Sequence, residues 1–135
     1  MQTIYIETTI PSYMGAHPSS QESIAADQQV THQWWASERN RFRLYTSIFT
    51  VDEASGGDAS AAERRMVFLQ GIPQLTVIPE IEPLAENLVR LLRLPAKAVM
   101  DASHLAICIL PRVDYLLTGN CKHLANPVLQ KELVE

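Results

Sequence analysis

Apolar positions along the chain fall into short β-branched or aromatic runs separated by longer stretches with helical spacing. The run Thr3-Ile4-Tyr5-Ile6 predicts an opening strand, with Pro11 as its limit. Ser19 or Ser20 can cap a helix with Glu22 near its start. No Pro or Gly interrupts the segment that follows, so a helix is expected up to Arg41. Residues 42–45 predict a second short strand, and residues 49–54 a short helix stopped by Gly56 and Gly57. Asp58 suits the N-cap of a further helix that ends at Gly71 and Pro73. Residues 75–78 predict a third strand. Pro79 or Pro83 then opens a helix with Leu84, Leu88, Leu91 and Leu92 at helical spacing, and Pro95 marks its end. Residues 100–110 form an apolar helical stretch before Pro111, residues 115–118 a fourth strand, and residues 126–134 a terminal helix. Strands alternating with helices predict an α/β fold with a parallel sheet covered on both faces.

A length of 135 residues, without repeats or a linker, is that of one domain over residues 1–135. With 47% hydrophobic and 19% charged residues the chain falls in the globular class rather than the disordered one. The net charge of −4 supplies no basic field for nucleic acid. A cation held by carboxylates, with a few placed arginines, can still draw such a substrate. Cys108 lies in an apolar run and reads as a small buried hydrophobe. With Cys121 as its only companion, there is neither a disulfide framework nor a zinc motif. The longest apolar stretches fall short of the roughly 18 residues that span a bilayer. Residue 1 leads into a strand-like segment rather than a charged leader and apolar core, so a reduced cytoplasmic setting and no membrane partner are expected.

Ligands of open α/β sheets bind at the carboxyl ends of the strands. Glu7 stands directly behind the first strand, Glu53 in the segment after the second, Asp101 at the start of a helix, and Asn120 two residues past the last strand. A parallel sheet can bring all four to one edge. Carboxylates converging there repel one another unless a divalent cation lies between them, and Mg²⁺ or Mn²⁺ suits an oxygen-only site. Each residue also has a plainer reading. Glu7 is otherwise a solvated loop acid, Asp101 an N-cap and Glu53 a surface helix acid. Asp52 points elsewhere on the same helix, so only one of the pair faces the site. Asp58, followed by Ala59, fits a cap better than a ligand.

Taken in order, these segments resemble PIN domains, the fold of the VapC toxin ribonucleases of bacterial toxin–antitoxin pairs. Ile6-Glu7-Thr8-Thr9 is similar to the family's strand ending in an acid followed by Thr or Ser. Ser47-Ile48-Phe49-Thr50-Val51-Asp52-Glu53 matches a Ser followed six residues later by Glu. Asp101-Ala102-Ser103-His104-Leu105-Ala106 is the most specific match, close to Asp-Ala-x-His-Leu-Ala. Asp114-Tyr115-Leu116-Leu117-Thr118 resembles the strand that leads into a Thr-x-Asp. The likeness spans nearly the whole chain. It implies a three-layer α/β/α sandwich around a parallel sheet of four or five strands, with Mg²⁺ or Mn²⁺ held by acids, and hydrolysis of RNA phosphodiester bonds. The implied catalytic set is Glu7, Glu53, Asp101 and Asn120, with the first three as metal ligands and Thr8, Thr118 and Ser47 in support. A homodimer and a bound antitoxin protein are implied on the same ground. Two positions depart from the pattern. Glu7 and Asn120 stand where the family usually has Asp. The extra methylene of Glu7 moves a carboxylate by about one bond length, which matters where geometry must hold to roughly 0.5 Å. Asn120 keeps an oxygen donor but loses a charge. The alternative is therefore a PIN-like binding protein with weakened catalysis.

His104, three residues after Asp101, lies near the same helix face and is read as a structural hydrogen-bond partner rather than a proton carrier. His123 lies nearer the expected edge. Trp34 and Trp35 suit packing better than base stacking. Arg39, Arg41 and Arg43 form the one local basic cluster, open to an RNA phosphate or simply to solvent. A flavodoxin-like or receiver-type domain also collects acids at strand ends, and it would leave Glu53 far from Glu7 and Asp101.

Overall fold

The computed structural model describes residues 1–95 and 98–119. Among these, three strands and six helices alternate. They are β1 (Thr3–Ile6), α1 (Thr9–Gly15), α2 (Glu22–Ser37), β2 (Arg43–Tyr45), α3 (Ile48–Ala54), α4 (Ala59–Val67), α5 (Ile81–Leu91), α6 (Val99–Ile109) and β3 (Tyr115–Leu117), with a short 3-10 turn at Arg39–Arg41. The sheet is parallel, in the order β2-β1-β3. Thr3 pairs with Arg43 and Tyr5 with Tyr45 on one side, and Ile4 with Tyr115 and Ile6 with Leu117 on the other. The carboxyl ends of all three strands therefore share one edge.

Alternation along the central strand sends its side chains to two cores. Tyr5 joins a cluster with Ile81, Ala85, Leu88 and Leu92 from the α5 segment and with Ala102, Leu105 and Ala106 of α6. Ile4 and Ile6 join a second cluster with Ile10, Ala54, Leu69 and Ile72, against which Trp34, Trp35 and Phe42 pack. Residues 81, 85, 88 and 92 recur at helical spacing, and the small Ala102 and Ala106 let α6 approach closely. Trp34 stacks on Phe42 at 6.0 Å and Trp35 meets Phe68 edge-on at 5.8 Å, so both indoles serve packing.

Three expectations change. Residues 75–78 form no strand. A single parallel bridge joins Thr46 to Gln74, and the chain then leaves the sheet with Val77 and Ile78 exposed. β2 ends at Tyr45 and gives that segment no further ladder to pair with, so its β-branched composition finds no use. Pro11 does not limit the first strand. It lies inside α1, in the first turn, where a proline's missing N–H is one of the helix's unpaired donors anyway. The helix expected up to Arg41 ends at Ser37 and tightens into the 3-10 turn. The predicted cap at Asp58 is present, its carboxylate accepting from the Ala61 N–H at 2.9 Å. The terminal helix at residues 126–134 lies outside the described residues.

Gly15 marks a close approach of α1 to α4. A Cβ there would stand 3.0 Å from the Arg64 carbonyl carbon and 3.0 Å from the Arg65 nitrogen. Both are backbone atoms, so α1 and α4 would have to separate, and the bond from Arg64 Nε to the Gly15 carbonyl, 2.9 Å, would lengthen with them. Gly15→Ala is expected to cost about 1–3 kcal/mol, read as a lower urea midpoint at unchanged slope.

Candidate metal centre

Glu7 owes its position to the sheet. Its N–H donates to the Leu117 carbonyl at 3.2 Å, which continues the β1–β3 ladder by one residue and brings Thr118 alongside. The Thr118 hydroxyl donates to Glu7 Oε1 at 2.6 Å. Thr9 donates twice to the same oxygen, from its hydroxyl at 2.6 Å and its N–H at 3.1 Å. The Gly119 N–H in turn donates to the Thr9 hydroxyl at 2.6 Å. All three bonds to Glu7 end on Oε1, and among the described residues none reaches Oε2. The residue is only 4% exposed, and no described Lys or Arg forms an ion pair with it.

Glu53 reaches the same place from α3. Ser47 caps that helix by accepting from the Phe49 N–H at 3.2 Å. The hydroxyls of Thr46 and Thr50 both donate to the Ile6 carbonyl, at 3.0 and 3.1 Å, which ties the start of α3 to the end of β1. Glu53 follows Thr50 by three residues and so lies near the same helix face, above the sheet edge. Its Oε1 accepts from the Thr8 hydroxyl at 2.6 Å and meets His104 Nε2 at 2.7 Å. Partial burial pushes the Glu53 carboxyl up. The His104 hydrogen bond, the Thr8 hydrogen bond and the charge of His104 together outweigh burial, so it titrates below the ordinary value of 4.5. A carboxylate with a lowered folded-state pKa adds stability above the unfolded value and loses it as pH falls through the lowered one. Without metal, Glu53→Gln is expected to be less stable than the parent near neutral pH, with the gap closing in acid. Urea unfolding between about pH 7 and about pH 3 measures this. The gap is small, because Glu53 is 37% exposed and solvent screens it.

Behind Glu53 lies a buried polar chain. Tyr5 Oη meets His104 Nδ1 at 2.7 Å, Ser47 Oγ at 2.6 Å and Thr50 Oγ1 at 3.2 Å, and all four side chains are fully enclosed. Burial pushes the Tyr5 phenol far above its usual pKa, the hydrogen bonds from Ser47 and Thr50 only partly opposing it. Tyr5 therefore keeps its proton. One arrangement that satisfies every group sends the Thr50 proton to the Ile6 carbonyl, the Ser47 proton to Tyr5, the Tyr5 proton to His104 Nδ1 and the Nε2 proton to Glu53.

The ligand atoms of Glu7, Glu53 and His104 lie within 4.8 Å of one another. Asp101 stands outside that set, half-buried in the first turn of the same helix as His104 and engaged in contacts of its own. Asn120 and His123 lie outside the described residues. Thr8 and Thr118 hold the two glutamates, and Ser47 acts through its cap and through Tyr5. Arg43 pairs with Thr3 at the amino end of the sheet, opposite the acids. Arg39 lies over the Trp35 ring at 4.4 Å, and Arg41 pairs with Glu38 at 3.0 Å. Sequence reading missed Tyr5, Thr9 and Thr50. Thr9 carried a signal, as one of two hydroxyl residues following an acid. Tyr5 looked like any aromatic strand residue.

The donor set fits a divalent cation. Each glutamate is fixed through Oε1 and has no hydrogen bond to Oε2 among the described residues. Ligands about 2.1 Å from one ion lie about 3.0 Å apart at right angles and about 4.2 Å when opposed, within the spread found here. A cleft of about 230 Å³ opens beside Thr118 and Gly119, walled by Ile10, Tyr13, Val30 and Trp34. No helix of the described residues is long and apolar enough to cross a membrane. No family model, curated protein or solved structure matches the chain. The likeness to PIN domains rests on the motifs quoted above.

Proposed function

We propose that the chain is a metal-dependent ribonuclease of PIN type. The carrying observation is the convergence of Glu7 and Glu53, from the ends of different elements, on one point at the carboxyl edge of a parallel sheet. A receiver-type arrangement is expected to leave Glu53 far from both Glu7 and Asp101, and here Glu53 stands beside Glu7 while Asp101 lies outside the group. In this reading the three described strands are part of a three-layer α/β/α sandwich of four or five strands. Glu7 and Glu53 hold Mg²⁺ or Mn²⁺, Asp101 adds a third carboxylate directly or through water, and Asn120 supplies a neutral oxygen. When bound, the cation supplies an activated water and a counter-charge for the phosphate oxygens. Thr8, Thr9 and Thr118 keep the carboxylates oriented, so no reorganisation is needed as substrate arrives. The cleft beside Thr118 offers aromatic walls to an unstacked base next to the scissile phosphate. The cellular setting proposed is the cytoplasm, as the toxin of a type II toxin–antitoxin pair, with RNA as substrate, an antitoxin protein as partner and a homodimer as the assembly.

Incubation with a panel of structured RNAs in Mg²⁺ and in Mn²⁺ tests the reading. Cleavage is expected with at least one ion, abolished by chelation and reduced about 10–100-fold by Asp101→Asn, the range for losing a supporting group at a metal centre. No cleavage with either ion would leave a PIN-like binding protein in its place.

A further inference from the structure

We infer that His104 is itself a metal ligand, through Nε2, so that the centre is a mixed nitrogen–oxygen site favouring a divalent transition ion over Mg²⁺. The inference rests on the metal-centre reading above and goes beyond the acids that the sequence pattern supplies.

Three observations carry it. His104 Nε2 belongs to the same group of mutually close ligand atoms as Glu7 and Glu53, whereas Asp101 does not. His104 Nε2 stands 2.7 Å from Glu53 Oε1, which sets the ring nitrogen against the carboxylate whose other oxygen is open to the cation. Glu7 is 4% exposed and its three hydrogen bonds all end on Oε1, which leaves Oε2 open to a cation among the described residues.

The far side of the ring has the form of a ligand's support. Metal-bound histidines usually donate their second ring N–H to a fixed acceptor, which sets tautomer and orientation. Tyr5 Oη stands 2.7 Å from Nδ1, and both residues are fully buried. Ligation needs the Nε2 lone pair, so the ring proton must lie on Nδ1. The network accepts this without an orphan. Nδ1–H donates to Tyr5 Oη, and the Tyr5 proton turns to Thr50 Oγ1, 3.2 Å away, which still donates to the Ile6 carbonyl. Imidazole suits transition ions, whereas Mg²⁺ prefers oxygen alone, and this sets the direction of selectivity.

Pulsed EPR of the full chain loaded with Mn²⁺ tests the assignment, alongside calorimetric titration with Mn²⁺ and Mg²⁺. Expected are nitrogen modulations from a directly bound imidazole and tighter binding of Mn²⁺ than of Mg²⁺. In His104→Gln the modulations vanish and the Mn²⁺ dissociation constant rises about 10–100-fold. In Tyr5→Phe the modulations persist while the constant rises about tenfold, because the ring keeps its nitrogen but loses its support. The parent spectrum decides even if a variant fails to fold. Mn²⁺ bound without nitrogen modulation would remove His104 from the ligand set and leave the carboxylate centre standing. No binding of Mn²⁺ at all would overturn both.

Discussion

Glu7→Gln is expected to abolish Mn²⁺-supported RNA cleavage, by about 100-fold or more, while leaving the metal-free protein about as stable as the parent. The two halves follow from the same geometry. Oε1 of Glu7 accepts all three hydrogen bonds, from the Thr9 hydroxyl and N–H and from the Thr118 hydroxyl. A glutamine keeps that oxygen and replaces only Oε2, to which no described residue donates. The anchoring therefore survives and the charge is lost. In the metal-free protein Glu7 is 4% exposed and has no cationic partner among the described residues. Three hydrogen bonds offset the burial of that charge and the amide keeps their acceptor, so the metal-free variant is expected to fold about as well as the parent. With metal present, the same charge contributes to holding the ion. Thermal melts with and without Mn²⁺ separate the two effects. Ligand at 100 times its dissociation constant stabilises the parent by about 2.7 kcal/mol, and the variant is expected to show almost none of that shift. A variant that keeps both cleavage and shift would remove Glu7 from the centre. A metal-free variant that melts well below the parent would show that the carboxylate is structural.

How much of this was legible in the sequence depends on the distance over which each signal acts. Glu7 and Glu53 were legible because a parallel sheet fixes where strand ends lie, and both follow strands of recognisable composition. Asp58 was legible as chemistry local to a helix start, whereas Ser47 entered only through the family motif and its cap was not read. The segment at residues 75–78 misled because Leu75, Val77 and Ile78 satisfy a local strand preference, while strand formation is settled by a partner. β2 stops at Tyr45 and offers only the bridge at Thr46. Pro11 misled for the opposite reason, since a proline's effect depends on its position within the element. The Tyr5–His104–Glu53 chain was not legible. Its contacts join residues 99 and 51 positions apart, and nothing in the periodicity of β1 distinguishes Tyr5 from a purely apolar aromatic. His104 was read correctly as a hydrogen-bond partner, but its partners were not identified, so its place among the ligand atoms could not be seen.

That hidden chain makes Tyr5→Phe more damaging than the loss of one oxygen suggests. The expected cost is about 2–6 kcal/mol, the sum of two buried groups losing their partner at about 1–3 kcal/mol each. Tyr5 Oη is the only described partner of His104 Nδ1. It also shares a hydrogen bond with the Ser47 hydroxyl at 2.6 Å. The void left by one hydroxyl lies at the lower limit for a water molecule, so solvent does not restore the bonds. Phenylalanine keeps the ring against Ala102, Leu105 and Ala106, so the apolar core is not the source of the loss. A double-mutant cycle with Ser47→Ala isolates the polar part. Ser47→Ala alone removes a cap and a partner of Tyr5. Once Tyr5 is Phe, the same change also deletes a stranded hydroxyl, and it is expected to cost less there by about 1 kcal/mol. Strictly additive losses in urea unfolding would mean that Ser47 and Tyr5 are not coupled. The buried hydroxyl would then be packing alone, and the support it is assigned behind His104 would have to come from elsewhere.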